Sequence, residues 1–535
     1  MKVASCLALL LVSGCMGSTD DHGAQESSRS PYVADQLLVR VEPGTDADAL
    51  AARHGLRVVG GPDASGWCAM AGSSEHLADL TSDPDIAVAA PMGRVVGTSD
   101  GRRRGGDHDD DHHGSDHDRD DDGDGHGCDR DDDDDHGHVP SPEQWHLDAA
   151  GVPASGPHDF DGIVVAVLGS GVAYRNHEEG GLRFKRARSL SGVDIVAGWD
   201  FVDGDDGPDD HNGHGTHVAT AIAGDAWKVQ GVAPGVSLMP VRVLDADNVG
   251  TELALVQGIH YAVDHGADVI NMSLAFPDGY LPSPALRDAL FDAWRAGVVL
   301  VGASGNEGMA SVDWPAHSPF VIAAGASRPV GSDLVTTDYS NVSSKLDLLS
   351  PGGDLTRDDN ADGYLDGILA ESFDPADPSE LGEWLYAGTS QGAALTSGAV
   401  VHALAAGADP QRLPFALQAG GRIGALITDG THLLDVDGAR LAVTSGTSFP
   451  EAVGYHVAAL AYLQREADGR VTPKAQLTVL DRTGAPVTAG VHLSGTVLGS
   501  DGARFTCDPS GPCGQCTAVG PTVDASDGAG GQRPL

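Results

Sequence analysis

At residues 212–219 the chain reads Asn-Gly-His-Gly-Thr-His-Val-Ala, a histidine held between two glycines at the start of an apolar helix. Such a segment can present the imidazole at a cleft while the helix behind it keeps the backbone in place. His214 is therefore a candidate general base. A histidine between glycines is more often a simple turn residue, so the interpretation depends on the rest of the chain.

Two further motifs each place a polar side chain where an acyl-transfer reaction needs one. Residues 388–394 read Gly-Thr-Ser-Gln-Gly-Ala-Ala, and Ser390 opens a helix of small residues predicted to run to about Ala405. A hydroxyl at a helix N-terminus lies in positive potential, and its own N–H can face a developing oxyanion. Residues 302–308 read Gly-Ala-Ser-Gly-Asn-Glu-Gly after a buried strand, so the Asn306 amide is predicted at a sheet edge. Taken singly, an N-cap serine and a turn asparagine explain these motifs equally well.

Together and in this order, the three motifs resemble the subtilase family of serine peptidases over roughly residues 143–443. The resemblance implies His214 as general base, Ser390 as nucleophile, and Asn306 with the Ser390 N–H as oxyanion donors. It implies protein or peptide substrates, held as extended chains by two edge segments: Ser273, Leu274, Ala275 and Ala303, Ser304, Gly305. In that family the first segment usually ends in glycine. The methyl group of Ala275 is therefore expected to crowd the substrate backbone.

The triad aspartate of that family is missing from this chain. The first buried strand of a subtilase ends in Asp followed by Ser or Thr and Gly, whereas here Gly169 stands at the aspartate position. The carboxylate normally fixes the histidine tautomer and offsets the imidazolium charge. Asp209 and Asp210, close to His214 in sequence, are candidates to replace it. Two hypotheses follow: a weakened serine endopeptidase, or a catalytically inactive binding or scaffold lipoprotein with the subtilase fold.

Apolar β-branched runs alternate with helical stretches between residues 141 and 445. Strands are predicted at residues 163–168, 267–272 and 297–301, and helices at residues 252–265 and 284–296. Continuous apolar strands separated by helices are typical of an α/β fold with a mostly parallel sheet. The predicted fold class is therefore a subtilisin-like three-layer α/β/α domain, over residues 141–445.

The flanking regions are predicted to form separate units. Residues 32–96 read as a small α+β unit that resembles the inhibitor-like propeptide of subtilases, so the chain's own propeptide is an expected partner of the cleft. Residues 97–140 contain a run rich in Asp and His, which is predicted to be a disordered linker. Short strands predict a small Ig-like β-sandwich at 450–523, followed by a loose tail at 524–535.

The charge and the N-terminus limit the possible partners and the location. The 535 residues carry 78 acidic and 32 basic side chains, a formal charge of −46, which would repel nucleic acid and anionic lipid surfaces. Residues 1–15 resemble a lipoprotein signal peptide, in which Cys15 would carry a lipid anchor as the only membrane contact; a plain secretory signal is the alternative. Both predict export, to the bacterial cell envelope or the medium. Cys507, Cys513 and Cys516 leave room for one disulfide there.

Two acidic loops are predicted to bind Ca²⁺ as a structural ion. Residues 358–366 repeat the first half of an EF-hand-like loop, although Leu369 replaces the usual glutamate; the predicted ligands are Asp358, Asn360, Asp362 and Asp366. The second loop resembles a calcium loop of thermitase-like subtilases and offers Asp200, Asp203, Asp205 and Asp209, with a solvated acidic turn as the alternative. A third hypothesis makes these loops and the acidic run a surface module for cation binding or adhesion.

Overall fold

The computed structural model describes residues 30–98, 144–153, 160–226, 228–427 and 431–445, and the backbone of further strands at 3–4, 100–103, 456–465, 471–480, 493–496, 504–507 and 515–519. Most of the predicted signal peptide, most of the acidic linker and the C-terminal tail lie outside these residues. In the described part of the chain, no helix combines the length and apolar character needed to cross a bilayer.

The centre of the molecule is a mostly parallel sheet. Its strands lie in the order Trp199–Asp200, Ser237–Arg242, Val164–Gly169, Val269–Met272, Val299–Ala303, Val321–Val330, Leu348–Pro351, His432–Leu433, Arg422–Ile423. All pairs along this path are parallel except the last, and Asp333–Thr336 adds an antiparallel partner to Val321–Val330. The predicted β-branched runs form three neighbouring strands of this sheet.

Helices cover both faces of the sheet. On one face lie Trp145–Ala149, His214–Ala223, Thr389–Ala405, Leu413–Gly420 and Val436–Thr444; on the other lie Glu252–Asp264 and Pro284–Arg295. Each face of the sheet has its own hydrophobic core, and side chains of the strand Val164–Gly169 alternate between them. Val165 and Val167 pack in the core of the first face, and Ala166 and Leu168 pack in the core of the second. Because a strand buried on both faces must be apolar throughout, the continuous apolar runs are explained. The predicted three-layer α/β/α fold is confirmed.

Shorter elements surround this core. The 3₁₀ turns are Ser74–His76, Arg188–Leu190 and Pro410–Arg412. Two small hairpins pair His177–Glu179 with Leu182–Phe184 and Asp225–Ala226 with Val229–Gln230. A longer hairpin of Ile368–Asp374 and Asp377–Ala387 lies directly before the helix that carries Ser390.

The N-terminal region folds as a small α+β unit against the second face. Its sheet contains Tyr32–Val41, Arg57–Gly60, Trp67–Ala71 and Ile86–Gly97, and its helices are Ala47–Arg53 and Leu77–Leu80. Apolar side chains of this sheet share a core with the helix Glu252–Asp264. The buried Glu252 carboxylate accepts the Gly93 N–H at 3.2 Å, which ties the unit to that helix.

The structure differs from the predicted linker at its N-terminal end. Gly97 ends a strand, Thr98 is buried, and Asp100–Arg103 pair with Trp384–Ala387. Beyond residue 455, His456–Arg465, Val471–Leu480 and Gln515–Val519 form one antiparallel sheet. Leu493–Thr496 pairs with Arg504–Cys507 and, in parallel, with Val3–Ala4. The sandwich itself stays a prediction, because the side chains there lie outside the described residues.

Candidate active site

His214 is the first residue of the helix His214–Ala223. Gly213 before it has a φ of 97°, a left-handed conformation that favours glycine and turns the chain into the helix. The imidazole is buried, and neither ring nitrogen has a hydrogen-bond partner among the described residues. Burial lowers the pKa of His214 to about 4, so the ring is neutral near pH 7 and able to accept a proton. It lines a cavity of about 420 Å³ beside Val96 and Gly97.

Ser390 is the second residue of the helix Thr389–Ala405 and is fully buried. Its Oγ donates to the carbonyl oxygen of Ser273 at 3.0 Å and lies 2.6 Å from the Thr98 hydroxyl. In the described residues no hydrogen bond joins Ser390 to His214. The helices that carry Ser390 and His214 are nevertheless in contact. Gln391 Nε2, next to Ser390, lies 3.4 Å from the Nδ1 atom of His217, which is one turn after His214.

The two predicted oxyanion donors converge on one carbonyl oxygen of the chain itself. Asn306 Nδ2 donates to the carbonyl oxygen of Thr98 at 2.7 Å, and the Ser390 N–H points at the same atom at 3.4 Å. Asn306 Oδ1 accepts from the backbone N–H of Thr389 at 3.0 Å and from its hydroxyl at 2.9 Å. These two bonds fix the orientation of the amide, so its N–H groups face the Thr98 carbonyl.

The strand Ile86–Gly97 occupies a groove that leads to Ser390. It pairs antiparallel with Leu274–Ala275 on one side and with Val249–Thr251 on the other. Ala275 lies opposite Val96, so its methyl group does not prevent this segment of the chain from pairing there. After Thr98 the chain continues as Asp100–Arg103, paired with Trp384–Ala387. Residues 94–97 and 100–103 therefore pair with the cleft on the two sides of Thr98.

Thr98 and the strand Val249–Thr251 are the parts of the cleft that sequence reasoning missed. Thr98 directly follows the predicted α+β unit and precedes the acidic run. That position was the available signal, because the end of a covering unit must lie near the cleft that the unit covers. Val249–Thr251 carried no signal, since three residues of ordinary composition pair only through their backbone.

The second predicted edge segment is held by a buried polar cluster. Ser304 Oγ donates to the carbonyl oxygen of Asn341 at 2.9 Å, and the Gly305 N–H donates to Thr389 Oγ1 at 3.2 Å. Asn341 Nδ2 donates to Glu307 Oε2 at 2.7 Å and to Asp313 Oδ2 at 3.1 Å. Burial, and then the Glu307 carboxylate, raise the pKa of Asp313 to about 8. The segment Ala303, Ser304, Gly305 is therefore followed by a buried carboxyl group, Asp313, that keeps its proton near pH 7.

No carboxylate contacts His214 in the described part of the structure. Gly169 ends its strand, and its carbonyl oxygen accepts the N–H groups of Val243 and Leu244 at 2.9 and 3.0 Å. Asp210 accepts bonds from Ser170, Thr216 and the backbone at residues 212, 213 and 216. Asp209 instead pairs with Arg175 at 2.6 Å. Both candidate replacements for the triad carboxylate are thus engaged elsewhere.

Two arginines, Arg242 and Arg175, bind carboxylates of the acidic loop at 200–209. Arg242 binds Asp200 at 2.6 Å and also Asp203, whereas Asp205 accepts its own loop's Gly207 N–H at 2.8 Å. His177, Glu179 and Asp209 bring one potential ligand atom each to within 4.8 Å of one another, but Arg175 already binds Asp209. Three of the four predicted ligands, Asp200, Asp203 and Asp209, are therefore already paired with arginine, whereas Asp205 has no arginine partner in the described residues.

In the loop at 358–366, Arg328 binds Asp359 at 2.6 Å, whereas the predicted ligands Asp358, Asp362 and Asp366 have no arginine partner in the described residues. Asp358 Oδ1 and Asn360 Oδ1 accept the Asp362 N–H at 3.1 and 3.0 Å, and Asp362 Oδ1 accepts the Tyr364 N–H at 2.8 Å. Asp366 is buried and accepts only backbone N–H groups, from Asp359 at 2.6 Å and Asn360 at 3.4 Å, within the described residues. Burial raises the pKa of Asp366. A buried carboxylate without a cation among oxygen-rich turns fits the donor set of Ca²⁺.

Comparison with known proteins agrees with this fold. The Subtilase family model matches residues 161–414. The chain is 41% identical to subtilisin DY of Bacillus licheniformis over 172 residues, covering 31% of this chain and 61% of that protein. It is 36% identical to thermitase of Thermoactinomyces vulgaris over 194 residues, covering 36% and 63%. It is 34% identical to subtilisin BL of Lederbergia lenta over 212 residues, covering 39% and 71%.

The chain therefore belongs to the subtilase family. It spans slightly less than two thirds of subtilisin DY and of thermitase. Among solved structures, fervidolysin from Fervidobacterium pennivorans, described as a keratinolytic enzyme related to subtilisin, matches with a TM-score of 0.60 and 18% identity. That match covers 92% of this chain and 77% of fervidolysin, and at this identity it supports the shared fold alone.

Proposed function

We propose that the chain is a serine endopeptidase that cleaves peptide bonds in proteins and is made as a precursor whose N-terminal unit covers the cleft. The observation that carries this proposal is the Thr98 carbonyl oxygen, which accepts the Asn306 amide at 2.7 Å beside the Ser390 hydroxyl. A carbonyl held by oxyanion donors next to a serine is the ground-state geometry of acyl transfer.

In the proposed reaction Ser390 Oγ attacks the carbonyl carbon of the bound peptide while His214 takes the hydroxyl proton. Asn306 and the Ser390 N–H stabilise the oxyanion. The C–N bond then breaks, and His214 returns the proton to the leaving amine; water releases the acyl group by the same steps in reverse. Applied to the precursor, this reaction cuts the bond between Thr98 and Ser99, and the covering unit (residues 32–96 with its tail to Thr98) is the propeptide.

The missing carboxylate lowers the rate without removing the remaining machinery. Loss of the aspartate from a Ser-His-Asp triad costs roughly 10⁴-fold in kcat, yet the oxyanion hole and substrate binding alone keep about 10³–10⁴-fold over water. The neutral His214 still accepts a proton, although no group in the described residues fixes its tautomer. We therefore expect slow peptide hydrolysis.

The proposal also includes a structural calcium site and export of the protein from the cell. Asp358, Asn360, Asp362 and Asp366 would hold one Ca²⁺, whose chemistry there is to neutralise and cross-link the loop rather than to take part in catalysis. The apolar N-terminus with Cys15 supports export as a cell-envelope lipoprotein or a secreted protein.

A fluorophosphonate probe tests the proposed nucleophile. Such probes react with serines activated in this way, so the purified chain should be labelled once it has been cut after Thr98, and Ser390→Ala should abolish the labelling. Ser397→Ala, in a buried serine two turns further along the same helix, serves as the matched control. Equal labelling of the Ser390→Ala variant and the parent would overturn the proposal, as would an unlabelled chain that stays unlabelled after Gly169→Asp.

A further inference from the structure

We propose that the hydroxyl of Thr98 is an autoinhibitory group that holds Ser390 in an unreactive state until the precursor is processed. This inference rests on the proposed function, because it assigns Ser390 as the nucleophile and the bond after Thr98 as the first one cut. It concerns the side chain of Thr98, whereas the proposed function uses only its carbonyl group.

The hydrogen bonds around Ser390 determine which hydroxyl donates. A carbonyl oxygen can only accept, so the 3.0 Å contact between Ser390 Oγ and the Ser273 carbonyl oxygen uses the single hydroxyl proton of Ser390. Thr98 Oγ1 lies 2.6 Å from Ser390 Oγ. Since Ser390 has no second proton, Thr98 must be the donor in this bond, and the nucleophilic oxygen is the acceptor.

This arrangement works against attack in two ways. A lone pair of Ser390 Oγ that should approach the carbonyl carbon is engaged by the Thr98 proton, which makes the oxygen less nucleophilic. The Ser390 proton points to Ser273, although the His214 ring is neutral and has no partner among the described residues. Ser390 must therefore break two hydrogen bonds and turn its proton to His214 before the reaction can begin.

The surrounding residues hold Thr98 in this position. Its carbonyl oxygen is bound by Asn306 at 2.7 Å, and the preceding residues Val96 and Gly97 pair with Ala275 and Leu274. Thr98 is 5% exposed, so water does not compete freely for its hydroxyl. Both flanks are fixed, because Asp100–Arg103 pair with the strand Asp377–Ala387.

The test measures the first-order rate at which the full-length precursor is cut between Thr98 and Ser99, by intact mass against time at two protein concentrations. In this step the Ser390 Oγ–Thr98 carbon bond forms, the Thr98–Ser99 C–N bond breaks, and the hydroxyl proton passes through His214 to the Ser99 nitrogen. Thr98→Val removes the hydroxyl at nearly constant shape, and we expect cleavage to accelerate about tenfold or more. Thr98→Ser keeps the hydroxyl and should stay within about threefold of the parent. Thr81→Val, on the exposed surface of the same unit, is the matched control.

The outcomes separate this inference from the proposed function. If the parent and all Thr98 variants are cut between Thr98 and Ser99, but Thr98→Val is cut no faster than the parent, the inhibitory role is wrong and the proposed function stands. If Thr98→Val only loosened the covering unit, probe labelling of Ser390 would rise while cleavage at Ser99 fell, which would also overturn the inhibitory role. If no chain is cut or labelled, including the same variants carrying Gly169→Asp, both the proposed function and the inference fail.

Discussion

At the scale of single residues, the cleft has three of the four groups that a Ser-His-Asp peptidase needs. Ser390, His214 and Asn306 come from distant parts of the sequence, and the fold gathers them around the Thr98 segment. At the position predicted for the fourth group stands Gly169, whose backbone carbonyl accepts neighbouring N–H groups. In the proposed mechanism, the orientation of His214 rather than the oxyanion hole would therefore limit the rate.

Restoring the carboxylate should raise activity. A Cβ atom at Gly169 would have Gly215 Cα as its nearest neighbour, at 3.8 Å, which is an ordinary contact. We expect Gly169→Asp to increase the rate of probe labelling by about 10⁴-fold, because the carboxylate fixes the tautomer and stabilises the imidazolium. Gly169→Asn has the same size but no charge and should give little increase. Equal rates for the two variants would contradict this explanation.

The buried Asp313 predicts a dependence of stability on pH. Its folded-state pKa of about 8 lies above the unfolded value of about 4, so between these values the folded state holds a proton that the unfolded state has lost. The free energy of unfolding therefore falls as pH rises through this window. Asp313→Asn mimics the protonated form and does not titrate. The difference in melting temperature, variant minus parent, should therefore increase from pH 5 to 8 and stay constant above pH 8. Asp264→Asn, on an exposed helix end, is the control; parallel melting curves for Asp313→Asn and the parent would contradict the assignment.

At the scale of elements, the helices and strands of the central domain were predictable because their signals are local. The helices predicted at 252–265 and 284–296 are observed as Glu252–Asp264 and Pro284–Arg295, and the helix after Ser390 ends at Ala405 as expected. The pairing of Ile86–Gly97 with Leu274–Ala275 was not predictable, since backbone bonds between distant segments leave no periodic pattern. The same limit applies to Asn341, whose buried amide links loops far apart in sequence.

The loop at 358–366 is the element that calcium should stabilise. We expect added Ca²⁺ to raise the melting temperature by about 2–4 °C per kcal/mol of binding free energy, and a chelator to reverse the effect. Asp366→Asn should remove the response, because this buried carboxylate has no cation partner in the described residues. Asp333→Asn, an exposed change elsewhere, should keep it. A melting temperature that is identical with calcium and with chelator would exclude the site.

At the scale of the whole molecule, the N-terminal unit covers the cleft of the subtilase domain. The N-terminal unit packs on the helix Glu252–Asp264, sends its last strand through the groove, and continues on the far side of Ser390. The sequence predicted the two units but not how they meet, because no motif marks the residue that enters the cleft. The contact at Thr98 is what joins the organisation of the chain to its proposed chemistry.

The most direct test of this account is the N-terminal sequence of the purified protein after prolonged incubation. The account predicts that the parent accumulates a chain beginning at Ser99, at a rate independent of protein concentration, and that Ser390→Ala remains uncut. A parent chain that stays intact, or a Ser390→Ala chain cut at the same bond, would contradict the claim that this cleft hydrolyses peptide bonds.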